Sequence, residues 1–160
     1  MGHTFSEIKI QELPAMRVMS CRVISPEPED DSTRMLGNWL AQHGLSAKGR
    51  RNFGFDSQVS MAEAQAGLRG YESAVVVPEG VKADDGIQER LYGGGMYAVM
   101  TVINAFEAPF DSILSGWNHL SEWVHNSPQW DCIYGLCYEE VVAGKTGNDL
   151  ILYHPVKERK

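Results

Sequence analysis

One order of patterns occurs twice in this chain, and that repetition narrows the folds open to it more than any single motif does. In the first half, 5–80, the run Glu7 to Leu13 sets Ile8 and Ile10 at alternate positions, the mark of a half-buried strand. After Pro14 a second extended run covers 16–24. A polar loop, Pro26 to Ser32, supplies acids to a helix expected over 33–43. There Met35, Leu36, Trp39, Leu40 and His43 share one face, and Gly44 ends the helix. A short extended piece at 53–56, a polar alanine-rich connection and a strong strand at 71–77 complete the half.

The second half, 86–158, runs in the same order. Residues 87–92 and 97–104 read as a hairpin around Gly93-Gly94-Gly95. A helix is expected over 110–126, with Phe110, Ile113, Leu114, Trp117, Leu120 and Val124 as its apolar stripe and Ser127-Pro128 as its stop. A strand over 132–142, a turn over 144–148 and a closing strand over 149–153, capped by Pro155-Val156, follow. One helix and about three to four strands per half predict an α+β fold of two fused modules within one domain over 1–160. A pseudo-twofold between such modules leaves a cleft on the shared axis, a favoured place for a ligand.

The glycines exclude a phosphate cradle. Phosphate-binding glycines lead from a strand into a helix whose N-terminus holds the anion. Here Met96-Tyr97-Ala98-Val99 follow, aromatic and β-branched, so a strand is expected instead. Composition excludes further classes. The net charge is −7, and Lys48, Arg50 and Arg51 form the sole basic cluster. Direct nucleic-acid binding normally shows basic excess, so none is expected, whereas acidity attracts small cations. No run approaches the ~18 apolar residues of a membrane span, and no leader is visible, so a cytoplasmic protein without membrane contact is expected. Cys21, Cys132 and Cys137 form no paired framework and read as reduced thiols. His119 and His125 do not share a ligand face, His3 is terminal, and His43 and His154 end a helix and a strand. With no Gly-x-Ser-x-Gly elbow either, no metal, cofactor or triad is expected.

Chemistry gathers at Cys137-Tyr138-Glu139-Glu140-Val141-Val142. Neighbouring side chains in a strand face opposite sides, so one of Glu139 and Glu140 is driven toward the interior. A buried lone carboxylate costs several kcal/mol unless it is paired or protonated. No Lys or Arg lies in this strand or in 149–153, so a cationic ligand would be the natural counter-charge. At a solvated edge strand, both acids would sit in water instead. Trp39, Phe55, Trp117, Trp123, Tyr138 and Tyr153 lie on elements that would wall the cleft. A ring face attracts a cation by about 0.5–2 kcal/mol. Trp39 and Trp117 sit on helix stripes, where core packing is the default. Trp123 lies off the stripe and is expected to be exposed, and Trp130 reads as a loop residue.

Taken together, Gly94 to Val99, the tryptophan-bearing helix, Cys137-Tyr138-Glu139 and Asp149 to Val156 resemble the GyrI-like superfamily. That superfamily includes the effector-binding domains of AraC- and MerR-type multidrug regulators. Phe55-Asp56 and Tyr71 to Pro78 agree with it too, so the resemblance covers nearly the whole chain. It implies tandem βαββ modules about a pseudo-twofold, enclosing a hydrophobic pocket with an acid at its base, and ligands that are often lipophilic cations. It maps the pocket acid to Glu139, which an aromatic residue precedes. The family commonly follows that acid with x-Tyr, but this chain has Glu140-Val141, so Glu140 is the alternative. Phe55, Trp117, Trp123, Tyr153 and Trp39 would supply the aromatic walls. The implied protein is a stand-alone binder of bulky hydrophobic cations, without a helix-turn-helix domain. Two other roles known in the superfamily are hydrolysis of strained cyclopropanoid toxins, with Glu139 as general acid or base, and a gyrase-inhibitor-like contact with a protein partner.

Overall fold

The computed structural model describes residues 4–133 and 136–160. His3 and the Tyr134-Gly135 part of the expected strand 132–142 lie outside them. In chain order the elements are β1 (Lys9–Leu13), β2 (Met16–Ser25), α1 (Pro28–Gln42), β3 (Asn52–Ser57), α2 (Met61–Gln65) and β4 (Arg69–Val76). There follow β5 (Gln88–Tyr92), β6 (Gly95–Val102), α3 (Pro109–Asn126), β7 (Trp130–Cys132), β8 (Tyr138–Ala143) and β9 (Asn148–Glu158). The chain divides into two compact units: Met16–Tyr92, and Met1–Ala15 with Gly93–Lys160.

In the Met16–Tyr92 unit the strands run antiparallel in the order β3-β4-β2-β5. One sheet face is covered by α1, whose Leu36, Trp39 and Leu40 close on Met19, Cys21 and Val75. This helix starts at Pro28, earlier than the expected 33. Proline loses nothing in a first turn, and Glu29, Asp30 and Asp31 complement the helix's positive end, so the acidic loop is itself helical. A 2.6 Å hydrogen bond between Ser32 and Ser73 joins α1 to β4 in the interior. The alanine-rich connection forms α2, begun by a capping box between Ser60 and Glu63.

In the second unit the antiparallel order is β1-β6-β9-β8, with β7 also on β9. Helix α3 covers one face, but its buried stripe is Ser112, Gly116, Leu120 and Val124. A Cβ on Gly116 would stand 2.5 Å from Val102 Cγ2 and 3.3 Å from Leu152 Cδ1, so small residues set how closely the helix approaches the sheet. That rotates the expected stripe outward: Phe110 is 81% exposed and Leu114 62%. Trp117 packs against the core at the stripe's flank. Trp123 does so as well, contrary to its expected exposure.

Four local expectations are corrected by the pairing. Strand β5 pairs with β2, while β6 pairs with β1 and β9, so 87–92 and 97–104 are not hairpin partners. Gly93 and Gly94 do adopt φ of +82° and +83°, but they serve a tight crossing. A Cβ on Gly93 would stand 2.3 Å from the Pro14 carbonyl oxygen, and the Gly94 amide donates to the Leu13 carbonyl at 2.9 Å. Trp130 lies in β7 rather than in a loop. Finally, β9 continues through His154 and Pro155. Pro155 falls between the β9 residues paired with β8 and those paired with β7, where among the described residues the strand has β6 alone beside it. A missing N–H is tolerated at such a place.

The fold is α+β, and β2-α1-β3-β4 and β6-α3-β8-β9 repeat one βαββ order. The units differ from the halves 5–80 and 86–158: β1 joins the later module as an outer strand, and β5 joins the earlier one.

Candidate functional site

Each unit has one sheet face under its helix and one face free of it. Directly opposed residues in an antiparallel ladder share a face, so register assigns the side chains. In the later unit Leu152 packs toward α3. Glu139 pairs with Leu152 and therefore lies on the helix-covered face, 9% exposed. Tyr138 pairs with Tyr153 and Glu140 with Ile151, on the other face. Tyr97 and Val99 oppose Pro155 and Tyr153 on that same face.

There the rings of Tyr138 and Tyr153 stack at 4.8 Å, and Tyr97 meets them edge-on at 5.8 and 6.4 Å. Glu140 is 4% exposed and accepts a 2.7 Å hydrogen bond from the Tyr153 hydroxyl. Burial, and then Cys137 nearby, raise the Tyr97 phenol above its ordinary value, so it stays a neutral donor at pH 7. A buried carboxyl group among ring faces suits a cation.

A related arrangement stands in the earlier unit. Ser73, Val75 and Cys21 face α1, so Glu72, Phe53 and Phe55 lie on the helix-free face, as do Arg90 and Tyr92 of β5. Glu72 is 2% exposed. It receives Arg90 Nη1 at 3.0 Å and the Tyr92 hydroxyl at 3.2 Å. The Arg90 guanidinium stands 5.7 Å over the Phe55 ring. Tyr92 meets Phe53 at 5.8 Å and Phe55 at 6.3 Å.

Of the six residues expected to form the site, Tyr153 lies with the buried Glu140 and Phe55 with the buried Glu72. Trp117 and Trp123 belong to the α3 layer and Trp39 to the α1 core, and Glu139 faces α3. Glu72, Arg90, Tyr92 and Tyr97 were not foreseen. Glu72 was detectable as the lone charge in the apolar run Tyr71 to Val77. Cys21 and Cys137 are not tuned for attack: burial and then the Glu72 charge raise Cys21, and burial and then Cys132 raise Cys137. Among the described residues no cluster of three or more His, Cys, Asp or Glu could hold a metal, and no helix is long and apolar enough to cross a membrane.

No family model matches the sequence, and no curated protein matches it in sequence. Several solved structures share the fold. The C-terminal domain of EcmrR superposes with a TM-score of 0.67 at 15% identity, covering 99% of this chain and 100% of that one. EcmrR in its complex with DNA gives 0.69 at 17% identity over 97% of this chain, which spans 58% of the EcmrR chain. SAV2435 bound to tetraphenylphosphonium gives 0.52 at 13% identity, covering 95% and 94% of the two chains. A hydrolase from Listeria innocua gives 0.57 at 10% identity, covering 94% and 92%. At such identities the likeness is one of fold, and the fold agrees with the GyrI-like one that the sequence resemblance implies.

Proposed function

We propose that this chain is a GyrI-like effector-binding domain that takes up bulky hydrophobic cations, with Glu140 neutralising the ligand's charge and Tyr97, Tyr138 and Tyr153 supplying ring faces. The observation that carries this reading is a glutamate 4% exposed on a sheet face lined by three tyrosines. Glu140, the alternative at the sequence level, replaces Glu139 in the proposal because register sets Glu139 beneath α3. The tetraphenylphosphonium bound to the structurally similar SAV2435 is a ligand of this chemistry. The proposed ligand is a small molecule and not nucleic acid, in keeping with a net charge of −7.

Glu140→Gln removes the charge and keeps the shape. Tryptophan-fluorescence titration of purified protein is expected to show tetraphenylphosphonium binding weakened about tenfold or more, while a neutral tetraphenyl analogue changes by less than about threefold. Equal losses for both ligands would refute the electrostatic role. A hydrolase reading draws on the Listeria innocua fold neighbour, and would now use Glu140 rather than Glu139 as acid or base. Mass spectrometry of a cyclopropanoid electrophile incubated with the protein, looking for the water adduct, separates turnover from binding.

A further inference from the structure

In the Met16–Tyr92 unit a cation already occupies the place that a ligand's charge would take. Arg90 reaches Glu72 at 3.0 Å and lies 5.7 Å over Phe55, so one guanidinium makes both contacts that define an aromatic cation seat. The two partners are unequally exposed: the Glu72 side chain is 3% exposed and that of Arg90 39%. The acid is buried in β4 and held by Tyr92 as well, whereas the arginine reaches it from β5 with its side chain partly in water. An exposed side chain can swing out at little cost if an incoming cation replaces it, and the carboxylate is never left without a counter-charge.

We propose that Glu72, Phe55 and Tyr92 form a second cation site, for aryl guanidinium or amidinium compounds, and that Arg90 is its built-in competitor. The planar fork of a guanidinium matches a carboxylate, and an attached aryl group meets the rings of Phe55 and Tyr92. Arg90 thereby sets specificity, because only a cation that holds Glu72 better than the protein's own arginine does can enter. The inference borrows its chemistry from the proposed function but uses a different carboxylate, so either can fail without the other.

The test titrates the full chain with phenylguanidinium, and with phenylurea as the uncharged analogue, by calorimetry. Arg90→Ala is expected to bind phenylguanidinium about tenfold or more tighter than the unchanged protein and to leave phenylurea binding weak. Adding Glu72→Gln to Arg90→Ala should abolish the gain, whereas adding Glu140→Gln should preserve it. Should Arg90→Ala fail to fold, Arg90→Gln, which still offers Glu72 a donor, is expected to show a gain of about threefold or more. Equal affinity with and without Arg90, equal binding of phenylurea, or a gain that survives Glu72→Gln would overturn the proposal. A gain lost with Glu140→Gln would overturn it too, by moving the site to the other carboxylate.

Discussion

Trp39 illustrates how one polar atom can decide a residue's role. Its indole N–H donates to Asp84 Oδ1 at 2.6 Å, and His43 Nε2 lies 3.1 Å from the same oxygen, with the two rings 4.3 Å apart. At 3% exposure and with its donor satisfied, Trp39 anchors α1 to the loop before β5. Those hydrogen bonds, Trp39's first and His43's second, hold the Asp84 carboxyl below its ordinary range. A carboxylate whose value is lowered by folding adds stability above its unfolded value, and that stability is lost as pH falls through the folded value. Asp84→Asn cannot ionise. Urea-unfolding midpoints of the two proteins are therefore expected to converge as pH falls from about 5 through the ordinary aspartate range and below it, the unchanged protein losing its advantage on acidification. A gap that stays constant over that range would deny Asp84 the role. Nothing in the sequence pattern pairs residue 84 with residue 39, because the hydrogen bond joins segments far apart in the chain.

The two long helices each carry a mid-helix glycine, and the structure assigns them opposite effects. Gly37 in α1 has no heavy atom within 4 Å of where a Cβ would stand, so it contributes only backbone freedom to the unfolded chain. Gly37→Ala is expected to raise stability by about 0.5–1 kcal/mol. Gly116 in α3 faces Val102 at 2.5 Å, and valine is stiff at χ1, so the added methyl must lift the helix from the sheet. Overpacking of about 1–3 kcal/mol outweighs the roughly 1 kcal/mol gain in helix propensity, and Gly116→Ala should lower stability. Thermal or urea unfolding of both variants checks the signs; a stabilised Gly116→Ala protein would mean that α3 does not rest on Val102. This is also where periodicity misled. Apolarity alone assigns Phe110 and Leu114 to the buried stripe, while close contact between helix and sheet selects Ser112 and Gly116. The existence of both helices was legible; the rotation of α3 was not.

At the scale of the whole chain, the repeat was legible because each element carries its own pattern, and βαββ order survives in both units. Strand partners were less so. Local alternation reports that 88–92 is a strand but not that it joins β2, and a hairpin is the default for neighbours in sequence. The candidate site was legible as a buried acid beside aromatics and uncertain in register, since one residue's slip exchanges Glu139 for Glu140. Charge acts at this same scale. The formal −7 attracts a cation over distances that salt controls, about 30 Å at 0.01 M and about 3 Å at 1 M. The contacts proposed for a cation at Glu140 would be short-range and buried, where screening by mobile ions is weak. Stopped-flow quenching with tetraphenylphosphonium is therefore expected to show the association rate falling about three- to tenfold between those salt concentrations, with the dissociation rate changing by less than about twofold. If salt instead speeds dissociation and leaves association alone, the bound cation is held by exposed acids, and the buried carboxylate is not its counter-charge.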